Sequence, residues 1–201
     1  MLVGYRNLIP QCCSVAFSMV TRTSPFRIPF PRRFLIRIHL DLFQIARHTR
    51  ERSSYPVELT LVEKMVLISE DRKFFRHNGF DGKALAREIL KAASFRKFGG
   101  ASTIDMQFVR TATGYYEPTI RRKLYEILLA YLIQFKYMKI EILRSYLDCA
   151  FFGSHIYGVK KAANVMFNKH PDTLNRSEAS IVAAMLVYPR PVNPNIAWEK
   201  R

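Results

Sequence analysis

The sequence is poor in acidic residues and in cysteine. Of its 201 residues, 16 are Asp or Glu and 32 are Lys or Arg, which gives a formal net charge of +16 at pH 7. An excess of this size points to a polyanionic partner: nucleic acid, an anionic membrane surface or a phosphorylated substrate. The three cysteines have neither the spacing of metal ligands nor the even number of a disulfide framework, so we predict neither feature.

Glycine and proline are also few, at 8 and 10 residues, while 49% of the residues are hydrophobic. This composition excludes a collagen-like, low-complexity or wholly disordered chain. A chain of this length supports one well-buried domain but not two full ones. We therefore expect a basic N-terminal arm over residues 1–55, which is rich in Arg and contains no Lys, followed by one domain over residues 56–201.

No early segment is long and apolar enough to predict a membrane-spanning helix. The uncharged stretch at residues 7–21 would span roughly 22 Å as a helix, against a hydrocarbon core of about 30 Å. Its basic start and short apolar centre resemble an imperfect signal or anchor segment. Residues 34–46 fit both an alternating and a helical pattern, so they form either an element packed on the domain or a basic amphipathic segment on a membrane.

Helical periodicity dominates from residue 56 onward, and no strand-rich segment interrupts it. Pro56 marks a helix start, and this helix ends near Glu70. Ser102 is the predicted N-cap of another helix. Further helices are predicted over residues 82–93, 120–135, 139–147, 159–166 and 178–187, and the 120–135 segment carries an apolar stripe of four turns. The predicted fold class is therefore mainly α.

Two glutamates are candidates for acid–base chemistry. Glu70 follows an apolar run and precedes Asp71, so burial, a neighbouring carboxylate and the negative end of a helix would each raise the pKa of a carboxyl group there. Glu126 lies nearly opposite the apolar stripe of its helix, with Arg122 and Lys123 one turn before it, so we expect it outside the core. Spacing alone also fits a solvated Glu–Asp pair and a surface ion pair.

The segment Gly99-Gly100-Ala101-Ser102-Thr103 joins flexible backbone and two hydroxyls to a helix start. Free N–H groups and the helix dipole converge at such a position and suit it to an anion. The segment lacks the Gly-Lys-Ser/Thr ending of a P-loop. His77 has no second His or Cys at ligand spacing, so no metal site is predicted.

In this order, the motifs resemble the family 51 glycosyltransferases, the peptidoglycan glycosyltransferase domain of penicillin-binding proteins and of monofunctional transglycosylases. The resemblance covers about residues 60–195. Five blocks carry it: EDRKFFRHNG at 70–79; GASTI at 100–104 with Gln107 and Arg110; Arg122 and Lys123 with Glu126 and Ala130; Tyr146-Leu147 with Gly153 and Tyr157-Gly158-Val159; and Glu178-Ala179 with Pro189, Pro191 and Asn193-Pro194. Each block is a weak signal, but the five in order, with 56 positions between the two glutamates, are highly specific.

The resemblance implies a lysozyme-like helical lobe with a smaller membrane-facing jaw. It implies polymerisation of lipid II, a disaccharide-peptide joined through pyrophosphate to a polyprenyl chain, by inverting single displacement. Glu70 would be the general base for the acceptor 4-hydroxyl, and Glu126 would assist at the donor. Asp71, Phe74 and His77 would shape the segment around Glu70, and the donor cleft would be lined by Ser102, Thr103, Gln107, Arg110, Arg122 and Lys123.

The resemblance also implies a location and partners. The protein would act in peptidoglycan synthesis on the extracytoplasmic face of the bacterial cytoplasmic membrane. Its partners would be lipid II, the growing lipid-linked glycan strand, the membrane surface and other cell-wall synthesis proteins, and not nucleic acid. The residues call for no cofactor, although a divalent cation such as Mg²⁺ is compatible with the substrate pyrophosphate.

Five residues depart from the usual pattern of this family. Asp105, Met106, Thr111, Gln134 and Asp148 stand where Thr, Gln, Asn, Glu and Asn are usual. Asp105 is expected to add negative charge near the phosphate site and to weaken binding there. Met106 cannot replace an amide as a hydrogen-bond partner for the substrate. Neither change removes a glutamate, so we expect the protein to be active, at a level that these changes can lower.

Other function classes fit parts of the sequence. A lysozyme-like cleft with two glutamates also fits a glycan hydrolase, although the cations suited to phosphate argue against it. A catalytically weakened cell-wall scaffold retains the same motifs. A basic helical protein that binds nucleic acid or membrane explains the charge, but no helix-turn-helix or RNA-binding signature is present.

Overall fold

The computed structural model describes residues 30–49, 58–93, 102–194 and 198. Eight helices account for most of them: α1 (Phe30–His48), α2 (Leu61–Glu70), α3 (Gly82–Ala93), α4 (Ile104–Thr113), α5 (Ile120–Leu132), α6 (Lys139–Cys149), α7 (Val159–Phe167) and α8 (Arg176–Val187). Two short antiparallel strands, β1 (Phe151–Gly153) and β2 (Ile156–Tyr157), lie between α6 and α7. The prediction of a mainly α fold is confirmed, whereas the small hairpin was not predicted.

Two compact units divide the chain, residues 1–37 and 38–201. The described part of the first unit is the start of α1, where Leu35 and Ile36 are exposed. In the second unit, Ile45 of α1 is fully buried, and the buried Asp41 accepts hydrogen bonds from the hydroxyls of Tyr115 and Tyr125 at 2.9 and 2.6 Å. The later part of the 34–46 segment is therefore a helix packed on the domain.

Residues 1–29 and 50–57 lie outside the described residues, and with them most of the proposed arm. The prediction that the helix ending near Glu70 begins at Pro56 is wrong, because α2 begins at Leu61 with Thr60 as its N-cap. The boundary at residue 55 stays a prediction. Among the described helices, none combines the length and the apolar character that a transmembrane segment requires.

The central helix of the larger unit is α4, which packs against both α5 and α6. Its residues Ile104, Phe108 and Val109 are buried almost completely. Thr103 is the N-cap, since its backbone is extended and its hydroxyl accepts a hydrogen bond from the amide of Met106. The prediction of Ser102 as the cap is therefore wrong by one residue.

Helices α2 and α8 pack against each other. Each begins with a capping box, in which Thr60 pairs with Glu63 in α2 and Asn175 with Glu178 in α8. The end of α2 at Glu70 and both bounds of α3 agree with the predictions. The end of α2 sets Glu70 beside α4, where a side chain of that helix contacts it.

Helix α5 is oriented opposite to what its apolar stripe predicts. Ile120 is 81% exposed and Leu124 is 61% exposed, whereas Glu126 is 3% exposed. The prediction that Glu126 lies outside the core is therefore wrong. Its burial is tolerated because Arg122 and Lys123 on the same side of α5 pair with its carboxylate.

Candidate functional site

Glu70 is held by a chain of hydrogen bonds from α4 and α6. Gln107 of α4 donates from Nε2 to Glu70 Oε2 at 2.8 Å, and its Oε1 accepts a hydrogen bond from the hydroxyl of Tyr146 at 2.7 Å. Burial, and secondarily the charge of Glu70, raise the pKa of the Tyr146 phenol, so the hydroxyl stays protonated. The resemblance placed Gln107 in the donor cleft, and the structure places its amide on Glu70.

Glu126 is held by two cations of its own helix. Arg122 donates to Glu126 Oε2, and Lys123 Nζ lies 3.1 Å from Oε1. The same ammonium donates to the hydroxyl of Ser102 at 2.8 Å, just before α4. Desolvation lowers the pKa of Lys123, and the charge of Glu126 opposes this effect. The buried carboxylate and its two partly exposed cations therefore form one group, which contacts the residue before the N-terminus of α4 through Ser102.

Arg110 lies on α4 between the residue that contacts Glu70 and the cavity beside Glu126. It lies one turn after Gln107 on the same face of α4, and it borders a small cavity together with Arg122 and Glu126. Its positive charge also lowers the pKa of Tyr146, the residue that supports Glu70 through Gln107. Helix α4 therefore contacts Glu70 through Gln107 and, one turn later, borders the Glu126 cavity through Arg110.

The segment after α2 folds back onto α4. Asp71 Oδ2 accepts hydrogen bonds from His77 Nε2 at 2.9 Å and from the amide of Ile104 at 3.3 Å. The hydroxyl of Thr103 donates to the carbonyl of Gly79 at 2.6 Å. These contacts tie the segment that begins at Glu70 to α4, and the shaping role that the resemblance implies for Asp71 and His77 stays a prediction.

Besides Glu126, two more of the residues assigned to the site are buried, Phe74 and Thr103. Phe74 is 1% exposed, and the ammonium of Lys139 lies 4.5 Å from its ring centroid. Thr103 is 3% exposed, and its hydroxyl already serves the α4 cap and Gly79. Phe74 and Thr103 therefore have structural contacts in the protein, and the shaping role of Phe74 and the lining role of Thr103 stay predictions.

Asp105 is buried beneath the site and does not face a phosphate-binding cleft. Its carboxylate accepts hydrogen bonds from Gln134 Nε2 and Lys139 Nζ, both at 2.8 Å, and His77 Nδ1 lies 3.8 Å away. Burial raises the pKa of Asp105, and the Lys139 ammonium opposes this shift. The structure thus places the charge of Asp105 in an internal ion pair, and the expected effect of Asp105 on phosphate binding stays a prediction.

Two departures from the family pattern thus contact each other, Asp105 on α4 and Gln134 in the turn Ile133–Phe135 after α5. A third departure, Met106, is buried in the core. Its side chain packs among apolar residues, so the expected loss of a substrate hydrogen bond does not apply at this position.

Asp71, His77 and Asp105 bring possible metal-ligand atoms within 4.8 Å of one another. The spacing around His77 did not predict this group because Asp105 lies far along the chain. His77 Nε2 is already bonded to Asp71, and Lys139 already supplies a positive charge to Asp105. We therefore assign these residues to a buried ion-pair cluster.

The predicted anion-binding segment is described only in part. Residues 99–101 lie outside the described residues, and the hydroxyl of Ser102 contacts Lys123. The described half of this segment thus joins the Glu126 group, and the role of Gly99 and Gly100 stays a prediction.

Gly79 is the residue at which the segment after α2 passes closest to α5. Its φ is +88°, and a Cβ at this position would collide with the carbonyl group of Ala130. Gly114 has a similar φ of +70°, but no described atom lies within 4 Å of such a Cβ. Substituting each glycine by alanine therefore distinguishes two contributions to stability: the strain of a positive φ, which both positions share, and the steric clash with Ala130, which only Gly79 has.

We expect Gly79→Ala to lower the free energy of unfolding by about 2 kcal/mol more than Gly114→Ala, because only the first substitution also overpacks a contact. Urea unfolding of the two variants and the wild type measures the difference. Equal losses in the two variants would show that the close approach between Gly79 and α5 has no energetic weight.

The Transglycosylase family model matches residues 42–201 of the chain. Penicillin-binding protein 4 of Bacillus subtilis (strain 168) is 35% identical over 136 residues, which cover 67% of this chain and 21% of that protein. Penicillin-binding protein 1A of Rickettsia bellii (strain RML369-C) is 34% identical over 139 residues, covering 67% and 18%. Penicillin-binding protein 2D of the same Bacillus subtilis strain is 34% identical over 138 residues, covering 68% and 20%. The chain thus matches about a fifth of the length of these relatives.

Proposed function

The chain belongs to the transglycosylase family, and on this basis we propose that it is a peptidoglycan glycosyltransferase that polymerises lipid II into glycan strands and releases polyprenyl pyrophosphate. The observation that carries the proposal is that α4 contacts both glutamate sites: Gln107 donates to Glu70, and Arg110, one turn later, borders one cavity with Arg122 and Glu126, to which Lys123 is also paired.

The Glu126 group suits the donor. A departing pyrophosphate gains negative charge as the anomeric bond breaks, so fixed cations stabilise the transition state more than the ground state. Arg122 and Lys123 are held in place by Glu126, and Arg110 borders the same cavity. In the proposed reaction these three side chains bind the diphosphate, and Glu126 keeps two of them in position.

The surroundings of Glu70 suit the acceptor. A carboxylate that accepts a hydrogen bond from Gln107 has its second oxygen available to take the proton of a sugar hydroxyl. A base on the side of the sugar opposite to the leaving group corresponds to a single displacement with inversion, as in inverting glycosidases. The proposed reaction therefore needs no covalent sugar intermediate.

We propose that the protein works at a membrane surface, on the extracytoplasmic face of the bacterial cytoplasmic membrane. Leu40 and Phe43 of α1 and Leu124 of α5 expose apolar side chains, and the net charge of +16 favours anionic lipid. The substrate itself carries a polyprenyl chain, so the site must stand close to the lipid. Other cell-wall synthesis proteins stay proposed partners, as does Mg²⁺ on the substrate pyrophosphate.

Incubation of the purified protein with labelled lipid II in detergent tests the proposal. We expect a ladder of glycan strands on a gel, together with released polyprenyl pyrophosphate. Purified cell walls serve as the parallel substrate, because a glycan hydrolase would release soluble fragments from them and leave lipid II unchanged. Folded protein that turns over neither substrate would identify a scaffold instead of an enzyme.

Arg110→Gln is expected to lower the initial rate of lipid II polymerisation about 100-fold, since it removes one fixed positive charge from the developing pyrophosphate. Arg121→Gln is the matched control, because Arg121 is exposed on α5 beside the proposed donor residues. The rates are measured with both proteins at equal concentration. Similar losses in the two variants would indicate a general charge effect and would contradict the role of Arg110.

A further inference from the structure

We infer that Tyr146 is a positioning residue for the Glu70 base, because its hydroxyl determines which end of the Gln107 amide faces the carboxylate. This inference rests on the proposed function and deepens it. Tyr146 does not contact Glu70 in the hydrogen-bond network, so it acts through Gln107 alone.

The three side chains come from three helices. Glu70 ends α2, Gln107 lies in the middle of α4, and Tyr146 lies on α6 with 4% of its surface exposed. The amide of Gln107 contacts Tyr146 through its oxygen at 2.7 Å and Glu70 through its nitrogen at 2.8 Å. Both ends of the amide are therefore used, and turning it over would change both contacts.

The direction of the bonds follows from the tyrosine. A side-chain amide has one end that only donates and one that only accepts. A buried protonated phenol must place its proton on an acceptor, and Gln107 Oε1 is at the right distance. The Nε2 group of Gln107 then points to Glu70 as a donor, and a donor favours the ionised carboxylate that a general base requires.

Among the described residues, three other titratable groups lie near this chain of bonds: Arg110, Cys149 and Asp71. Arg110 faces Tyr146 from α4, and its charge acts against the burial effect on the phenol. Cys149 of α6 also acts on Tyr146, but burial raises the pKa of this thiol to about 12, so it is neutral at the pH of an assay. Asp71 follows Glu70 directly and is bonded to His77. The amide of Gln107 is the group that bonds the Glu70 carboxylate directly.

Tyr146→Phe removes the hydroxyl that orients the amide and leaves the ring in place. The amide can then turn its oxygen towards Glu70, which favours a protonated carboxyl group. We expect the acid limb of the pH–rate profile to move up by about one pH unit, so that the rate falls about tenfold near pH 6 and less than about twofold near pH 9. A merely structural role would lower the rate equally at every pH.

Tyr137→Phe is the matched control. Tyr137 is also buried, at 6% exposure, and its hydroxyl has no hydrogen-bond partner among the described residues. We expect its pH–rate profile to match the wild type. Gln107→Met provides a second route, because it removes the donor itself and should move the acid limb in the same direction as Tyr146→Phe.

The experiment measures two quantities for the wild type and these variants: the pH–rate profile with labelled lipid II, and the titration midpoint of the Glu70 carboxyl group by carbon-13 NMR. A midpoint that rises in Tyr146→Phe and Gln107→Met, but not in Tyr137→Phe, is the expected result. Unchanged midpoints in folded Tyr146→Phe and Gln107→Met overturn the inference. A wild type that does not polymerise lipid II refutes the proposed function, while the NMR titration still decides the role of Tyr146.

Discussion

Glu70→Gln is expected to lower the initial rate of lipid II polymerisation about 1,000-fold, because an amide cannot take the proton of the acceptor hydroxyl. The substitution keeps the size of the side chain. Its carbonyl oxygen can still accept the hydrogen bond that Gln107 donates to Glu70 at 2.8 Å. The fold should therefore be unchanged, and the loss should appear in the rate of polymer formation at saturating lipid II.

Glu117→Gln is the control for this prediction. Glu117 is exposed in the segment before α5, so the same chemical change occurs away from the proposed site. Circular dichroism and thermal unfolding establish that both variants are folded. A folded Glu70→Gln protein that polymerises at the wild-type rate would reject Glu70 as the base.

Asp105→Asn is expected to lower the free energy of unfolding by about 4 kcal/mol, since it removes one partner of a buried ion pair. The Asp105 side chain is 0% exposed and that of Lys139 is 17% exposed. Without the Asp105 carboxylate, the Lys139 ammonium is therefore left mostly buried, and water compensates its charge only in part. Gln134 Nε2 and Lys139 Nζ both donate to the carboxylate, and an amide at position 105 would turn its own donor towards one of them.

Exchange of the two polar side chains tests the cause of this loss. In the double variant Asp105→Asn with Gln134→Glu, one carboxylate and one amide are again present beside Lys139. We expect urea unfolding to show a favourable coupling of about 2 kcal/mol between the two substitutions. Asp172→Asn, at an exposed position, should have little effect. An Asp105→Asn protein as stable as the wild type would contradict the ion-pair assignment.

Local signals in the sequence predicted where helices begin and end better than they predicted which side of a helix is buried. The end of α2 and the bounds of α3 follow from local periodicity and capping, and both agree with the structure. The apolar stripe of α5 predicted the wrong buried side. This error has a physical cause: Glu126, Arg122 and Lys123 compensate one another's charges, so the polar side of the helix can be buried while Ile120 remains exposed.

The proposed site residues were chosen because they follow a family pattern, and their roles stay predictions; the contacts among them could not be predicted. Gln107 and Tyr146 are 39 positions apart, and Asp105 and Gln134 are 29 apart. Helical periodicity relates residues only within one helix. These pairs lie on different helices and are brought together by the packing of α4 against α5 and α6. Asp105 was expected near the phosphate because it follows the predicted anion-binding segment in the sequence. In the structure its carboxylate contacts Lys139 of α6.

The stereochemistry of the linkage formed by the wild-type protein tests the central claim most directly. With a base at Glu70 and a diphosphate held beside Glu126, the acceptor attacks from the side opposite to the leaving group. NMR of the polymer made from carbon-13-labelled lipid II reports the configuration at the new anomeric carbon. We expect every new linkage to have the configuration opposite to that of the donor. Linkages that retain the donor configuration would contradict it.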